Sequence, residues 1–193
     1  MNTEDLWAGE FGDQYTARNR VNWRKRIPFW KDIIDSTGAR SVFELGCNAG
    51  WNLSAITRVY PDVTVRGEDI NRKSIAQASL CLSDPNEVWV SQGLHSSQYD
   101  PNYELVFTAG LLIHVEPDSL HEMMSKVVNS SCDYVLAIEY ASDYEREIEY
   151  RGRKEKLWAR PFGKLYQDMG LKLVMEAGAG PGFDDCTAWL LRK

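Results

Sequence analysis

The segment Phe43-Glu44-Leu45-Gly46-Cys47-Asn48-Ala49-Gly50-Trp51-Asn52 is an apolar strand running straight into E-x-G-x-x-x-G and then a helix. Glycine at 46 can turn with a positive φ, and glycine at 50 lets a ligand approach the backbone, because neither carries a Cβ. The spacing discriminates between ligands. Counted from Gly46, the G-x-G-x-x-G of a dinucleotide fold needs glycine at 48 and 51, where the chain has Asn48 and Trp51. The indole blocks the close helix-to-strand packing on which that motif depends. No G-x-x-x-x-G-K-[ST] occurs, which removes a P-loop. Roughly one β-α unit later, a second strand ends in Gly67-Glu68-Asp69-Ile70-Asn71, where a carboxylate can accept hydrogen bonds from both hydroxyls of a ribose. Asp69 is preferred to Glu68, which points to the opposite face of the strand. The competing role for Asp69 is to cap the helix expected over 72–82, a role Asn71 can fill instead.

Other reactive residue types are scattered. Cys47, Cys81, Cys132 and Cys186 form no C-x-x-C pair, and His95, His114 and His121 show no metal-ligand spacing, so neither a disulfide framework nor a metal site is expected. His114 follows the fourth apolar run and has an unperturbed pKa near neutrality, which makes it the candidate general base.

The elements that must position these residues follow from periodicity. Leu6, Trp7, Phe11 and Tyr15 share one helical face, and Trp23, Ile27, Phe29, Trp30, Ile33 and Ile34 continue a second helical stretch, giving a helical cap over 1–37. Seven short apolar runs then alternate with helical segments: SVFEL, VTVRGED, VWVSQ, YELVFTAG, DYVLAIEY, LKLVMEA and CTAWLLRK. Such alternation implies an α/β three-layer sandwich, with a mostly parallel seven-stranded sheet and ligand at its C-terminal strand ends. The last two runs, joined by a turn over 178–185, read as an antiparallel hairpin at one edge. One domain over 1–193 is expected, with 141–160 inserted beside the site.

Composition narrows the partners. A net charge of −6 opposes general nucleic-acid binding, and no apolar stretch approaches the ~20 residues of a membrane span. The N-terminal MNTEDLWAGEF is acidic and lacks a signal peptide's apolar run, so a cytoplasmic chain is expected. Two segments are locally basic: 14–31 holds six bases and no acid, and 145–164 holds seven bases against four acids. Solvated helix faces or anion contacts both account for them.

An acid two residues before the first glycine, the G-x-x-x-G loop and an acid closing the second strand together resemble the class I S-adenosylmethionine-dependent methyltransferases, whose fold is Rossmann-like. Further residues narrow the likeness: Trp7 through Tyr15 with Arg18-Asn19, Gly50-Trp51-Asn52-Leu53, Gly110-Leu111-Leu112-Ile113-His114, Tyr150-Arg151-Gly152 with Lys156-Leu157-Trp158, and Asp184 through Trp189. These resemble the pseudaminic acid biosynthesis-associated methylases, bacterial enzymes linked to nonulosonic sugar pathways. The resemblance implies S-adenosylmethionine as cofactor, Glu44 beneath its methionine end, and Gly46, Cys47, Asn48, Gly50 and Asn52 around the aminoacyl chain. It further implies Asp69 and Ile70 at the ribose, Gln92, Gly93 and Leu94 at the adenine, and Thr108, Ala109 and Gly110 beside the sulfonium. Tyr15 and Arg18 are expected on the cofactor side, and Trp7, Phe11, Tyr140, Tyr150, Arg151 and Arg160 around a small, polar, anionic acceptor such as an acidic or amino sugar. Aromatic residues there can stack on a sugar ring or face a sulfonium. Methylation of protein or RNA, and cofactor binding without turnover, are the alternatives.

Overall fold

The computed structural model describes residues 3–82, 87–91, 102–150, 152 and 156–193. In chain order the elements are α1 (Thr3–Ala8), α2 (Glu10–Arg18), a 3-10 turn (Trp23–Arg26), α3 (Ile27–Thr37), β1 (Ser41–Leu45), α4 (Trp51–Val59), β2 (Thr64–Asp69) and α5 (Arg72–Ser79). Then come β3 (Val88–Val90), β4 (Tyr103–Ala109), α6 (Pro117–Ser130), β5 (Ser131–Glu139), β6 (Arg146–Glu147), β7 (Trp158–Ala159), α7 (Phe162–Asp168), β8 (Lys172–Gly178) and β9 (Thr187–Arg192). Seven strands form one sheet in the order β3-β2-β1-β4-β5-β9-β8. The first five pair in parallel, and β9 runs antiparallel to both β5 and β8, as the sequence predicts for the terminal hairpin. The short β6–β7 ladder inside 141–160 has no counterpart in the sequence expectations.

Strands buried on both faces read as nearly continuous apolar runs, and alternate residues supply two cores. Val42, Val65, Leu105, Phe107, Leu136 and Ile138 pack under α3, α4 and α5, whereas Phe43, Leu45, Val106, Val135 and Leu191 pack under α6 and α7. Helix α3 opens with Pro28 in its first turn, which fits a position where no N–H partner is needed, and buries Trp30, Ile33 and Ile34 at helical spacing. Helix α6 likewise opens on Pro117 and buries Leu120, Met124 and Val127. The sheet order reverses between β1 and β4, so their C-terminal ends open a crevice at the switch point. Helices α1 and α2 lie across it.

Candidate active site

The turn after β1 is built by the backbone of its neighbour strand. The N–H groups of Gly46 and Cys47 both donate to the Glu68 carbonyl, at 2.8 and 2.9 Å, and Gly50 N–H closes the turn onto Cys47 O at 2.9 Å. Three residues take the left-handed region: Gly46 at φ 73°, Asn48 at 46° and Gly50 at 71°. A Cβ on Gly50 would meet Ala78 Cβ at 3.2 Å, so position 50 is constrained by packing on α5 and by its φ rather than by ligand approach. At Gly46 a Cβ would strike Leu111 Cδ1 at 2.9 Å. The turn delivers Asn48 N–H to Asp69 Oδ2 at 2.9 Å, while Asn71 N–H reaches Asp69 Oδ1 at 2.8 Å. Each carboxylate oxygen keeps a lone pair for a ligand. Burial pushes Asp69 up to about 6, against the pull of those two N–H donors. Helix α5 is capped by Asn71, whose side chain accepts from Ser74 N–H at 2.9 Å.

The cap is stitched to this turn. Asn71 Nδ2 donates to Trp7 O at 3.1 Å and to Asp13 Oδ1 at 3.0 Å, the Thr16 and Ser74 hydroxyls meet at 2.6 Å, and Asn48 Nδ2 reaches both hydroxyls at 3.3 Å. At the other rim Thr3 Oγ1 donates to Glu116 Oε1 at 2.5 Å, and Lys156 Nζ donates to the Thr3 hydroxyl at 3.1 Å. Beneath the cap lies a cavity of about 360 Å³, lined by Trp7, Tyr15, Gly46, Asn48, Asp69, Ile70, Ala109, Gly110, Leu111 and His114 among others. Three of its lining residues carry buried polar atoms without a hydrogen-bond partner among the described residues: Trp7 Nε1, Asn48 Oδ1 and Glu68 Oε2. Such atoms are costly unless a ligand or water completes them.

His114 forms the far wall. Its Nδ1 lies 2.7 Å from the Lys156 carbonyl oxygen, which can only accept, so Nδ1 carries the proton and Nε2 keeps a lone pair. Burial pushes the imidazole down to about 4. Trp7 and Tyr150 pack on the ring at 4.7 and 5.2 Å between centroids, and Trp7 also meets Phe11 at 5.2 Å and Tyr15 at 5.1 Å.

Among the solved structures superposable over nearly all of this chain are three methyltransferases. Magnesium protoporphyrin IX methyltransferase from Synechocystis with bound SAM aligns at TM-score 0.71 and 14% identity, covering 100% of this chain and 98% of that one. The 1,6-didemethyltoxoflavin-N1-methyltransferase of Burkholderia thailandensis, with 1,6-didemethyltoxoflavin and S-adenosylhomocysteine bound, aligns at 0.74 and 13%, covering 95% and 85%. A sugar N-methyltransferase from Streptoalloteichus aligns at 0.70 and 10%, covering 96% and 93%. This is the Rossmann-like methyltransferase fold. No family model matches the chain, and no curated protein matches it.

Within this methyltransferase fold, the remaining expected site residues fall into three groups. Phe11 and Tyr150 join the aromatic cluster, their rings 6.2 Å apart, and Arg18 lies exposed with its guanidinium 5.4 Å from both the Phe11 and Tyr15 rings. Glu44, Cys47, Asn52, Thr108 and Arg160 are buried. Arg160 is bonded through Nε to Glu145 Oε2 at 2.7 Å and through Nη1 to Leu112 O at 2.9 Å, and none of Glu44, Asn52 or Arg160 lines the cavity. Burial pushes the Cys47 thiol far up, which suits an inert residue of the core. Tyr140, half-buried, follows β5. Gln92, Gly93, Leu94 and Arg151 lie outside the described residues. Among the described residues no cluster of His, Cys, Asp and Glu could hold a metal ion.

Several wall residues were not legible. Lys126, mid-helix in α6, reaches Glu68 Oε1 at 2.7 Å, with 2% and 4% of the two side chains exposed, and both line the cavity. A buried pair of this kind needs good geometry to offset its desolvation. Arg26 was visible only as one of six bases, yet its Nη1 donates to Asn52 Oδ1 at 2.9 Å, and Asn52 Nδ2 donates to Glu44 Oε1 at 2.6 Å. Burial pushes Glu44 up to about 8 from an ordinary 4.5, the Asn52 donor notwithstanding. The folded state therefore holds a proton that the unfolded chain releases, and this group's contribution to stability is lost as pH rises through 8. Since one pH unit of displacement is about 1.4 kcal/mol, Glu44→Gln should lose on the order of 4 kcal/mol less stability than wild type between pH 5 and 9, most of it below pH 8. Urea unfolding at both pH values checks this, and equal losses would place the charge elsewhere.

Proposed function

We propose that the chain binds S-adenosylmethionine in this cavity and transfers its methyl group to a small polar molecule. The observation that carries the reading is Asp69, held by the N–H groups of Asn48 and Asn71 with lone pairs left over at the cavity wall. That is what two ribose hydroxyls require. The cavity's size falls within the few hundred Å³ or more typical of small-molecule sites, and its unpartnered Trp7 Nε1 and Asn48 Oδ1 offer a donor and an acceptor to a polar ligand. Gly46, Cys47 and Asn48 wrap the aminoacyl chain in this reading, Gly50 closing the turn against α5, with Glu44 and Asn52 behind them, Ile70 beside the ribose and Gln92, Gly93 and Leu94 at the adenine. Tyr15 and Arg18 lie on the cofactor side. The sulfonium methyl group of the cofactor supplies the electrophile, so the protein's work is alignment and exclusion of water. Ala109 and Gly110 leave room there, and the unprotonated Nε2 of His114 can accept the proton that an acceptor hydroxyl sheds as it is methylated.

An acidic or amino sugar is the acceptor class that the family resemblance supports, and a sugar N-methyltransferase is among the structures with this fold. Trp7, Phe11, Tyr140 and Tyr150 supply faces for a sugar ring, and Arg18 and Arg151 supply charges for an anionic group, while Arg160 is committed to Glu145. No helix among the described residues is long and apolar enough to cross a membrane. Calorimetry with S-adenosylhomocysteine should give a Kd in the micromolar range, about −8 kcal/mol. A panel of nucleotide sugars and small acids, read by mass spectrometry for methylated product, then identifies the acceptor. Absence of binding heat at any temperature would sink the cofactor reading, and turnover on RNA or protein alone would replace the small acceptor.

A further inference from the structure

The turn that carries Gly110, Leu111 and His114 into the cavity is gripped from outside the cavity by one buried side chain. Glu139, the last residue of β5, is fully buried. Its Oε1 accepts the N–H groups of Leu111 at 3.2 Å and Leu112 at 3.1 Å, and its Oε2 accepts that of Ile113 at 3.3 Å. The turn's entry is pinned to the same strand, because Gly110 N–H donates to Ile138 O at 2.9 Å. Its outer side is held by Arg160 Nη1 on Leu112 O and by the Lys156 carbonyl on His114. Three consecutive N–H groups converging on one carboxylate form a ready-made anion nest, here filled by the protein's own acid.

We propose that Glu139 is a positioning residue, whose carboxylate fixes the turn from Gly110 to His114 and thereby sets the wall of the methyl-transfer site. The wall's place at the site of methyl transfer rests on the function proposed above; the anchoring itself does not. A carboxylate is needed because it offers acceptors to all three N–H groups, whereas glutamine, with a single carbonyl oxygen, must turn an NH2 towards at least one of them. Protonation of Glu139 has the same effect. Arg160 from the 141–160 segment, Tyr166 of α7 and Cys186 ahead of β9 face the same carboxyl, Thr108 of β4 lies beside it, and Glu145 neutralises Arg160. Burial pushes Glu139 up to about 7, against the hold of the backbone donors, so the change falls within an accessible pH range.

The test is a pH titration of the full chain by 15N-edited NMR, following the amides of Leu111, Leu112 and Ile113, together with S-adenosylhomocysteine calorimetry. In wild type these three amides should move together with a midpoint near 7, and in Glu139→Gln that step should vanish. At pH 8 the variant should bind S-adenosylhomocysteine about fivefold more weakly, because Gly110 and Leu111 line the cavity. The wild-type titration needs no variant to fold. Amides that ignore pH between 5 and 9, or that titrate unchanged in Glu139→Gln, would overturn the proposal, as would undiminished affinity in the variant. Amides that titrate as expected in a wild-type chain that does not bind S-adenosylhomocysteine would uphold the anchoring and overturn the cofactor reading alone.

Discussion

Replacing Asp69 by alanine is expected to weaken S-adenosylhomocysteine binding by about 2–3 kcal/mol, roughly thirty- to more than a hundredfold. Two losses add. A ligand hydroxyl loses a charged acceptor, and the N–H groups of Asn48 and Asn71, which now point at Asp69, lose theirs, so the turn after β1 and the start of α5 are no longer tied to each other. The pH dependence separates this from general damage. Because burial pushes Asp69 up to about 6, ligand hydroxyls must find it ionised, and the wild-type affinity should fall as pH drops through 6, by up to about tenfold per unit. The Asp69→Ala variant should lack that step and keep only the roughly fivefold fall through pH 7 expected from protonation of Glu139. Calorimetry at pH 8 and 5 for both proteins checks the two effects. Equal affinity at pH 8 would move the ribose role to another acid, with Glu68 the first to examine.

The sheet was legible because its central strands β1, β4 and β5 are mostly buried on both faces and read as nearly continuous apolar runs, while the glycine turn and the acid closing β2 are local in sequence. The walls of the cavity are not local. Lys126 reads as an ordinary helical lysine until α6 brings it to Glu68, 58 residues away, and His114 owes its tautomer to Lys156 O, 42 residues on, and its low proton affinity to burial. Arg160 looked available to an anion, since nothing in its neighbourhood shows that Glu145 and Leu112 O would enclose it. Gly50 was legible as a glycine position for the wrong partner: ligand approach was expected, and helix α5 occupies that side. Residue types at fixed spacing report backbone conformation well. They report the far side of a tertiary contact poorly, because that side is chosen by packing between distant elements.

Gly12 gives the second large effect, because it decides whether the cap can seat at all. Between α1 and α2 the chain bends at Gly9, which folds the Trp7 carbonyl back over the next turn of helix. A Cβ on Gly12 would lie 1.9 Å from Trp7 O and 2.8 Å from Asn71 Nδ2, distances no side chain tolerates. Both atoms belong to the hydrogen bond that ties the cap to the β2–α5 corner. Neither can yield alone, since Asn71 also caps α5 and accepts from Ser74 N–H. Gly12→Ala must therefore push α1 away, taking with it Trp7, which packs on His114, and the Thr3 contact with Glu116. The sheet and its two cores are remote from this bend, so the melting temperature should fall by only a few degrees, in keeping with about 1 kcal/mol on a domain of this size. Affinity for S-adenosylhomocysteine should fall at least about thirtyfold, as expected when some 2 kcal/mol of closure is lost. Gly178→Ala, where a Cβ meets nothing within 4 Å, is the matched control and should bind as wild type does. A Gly12→Ala protein that binds normally would mean that the cap seats after the ligand and contributes no binding energy, leaving Asp69 and the β1 turn to hold the cofactor unaided.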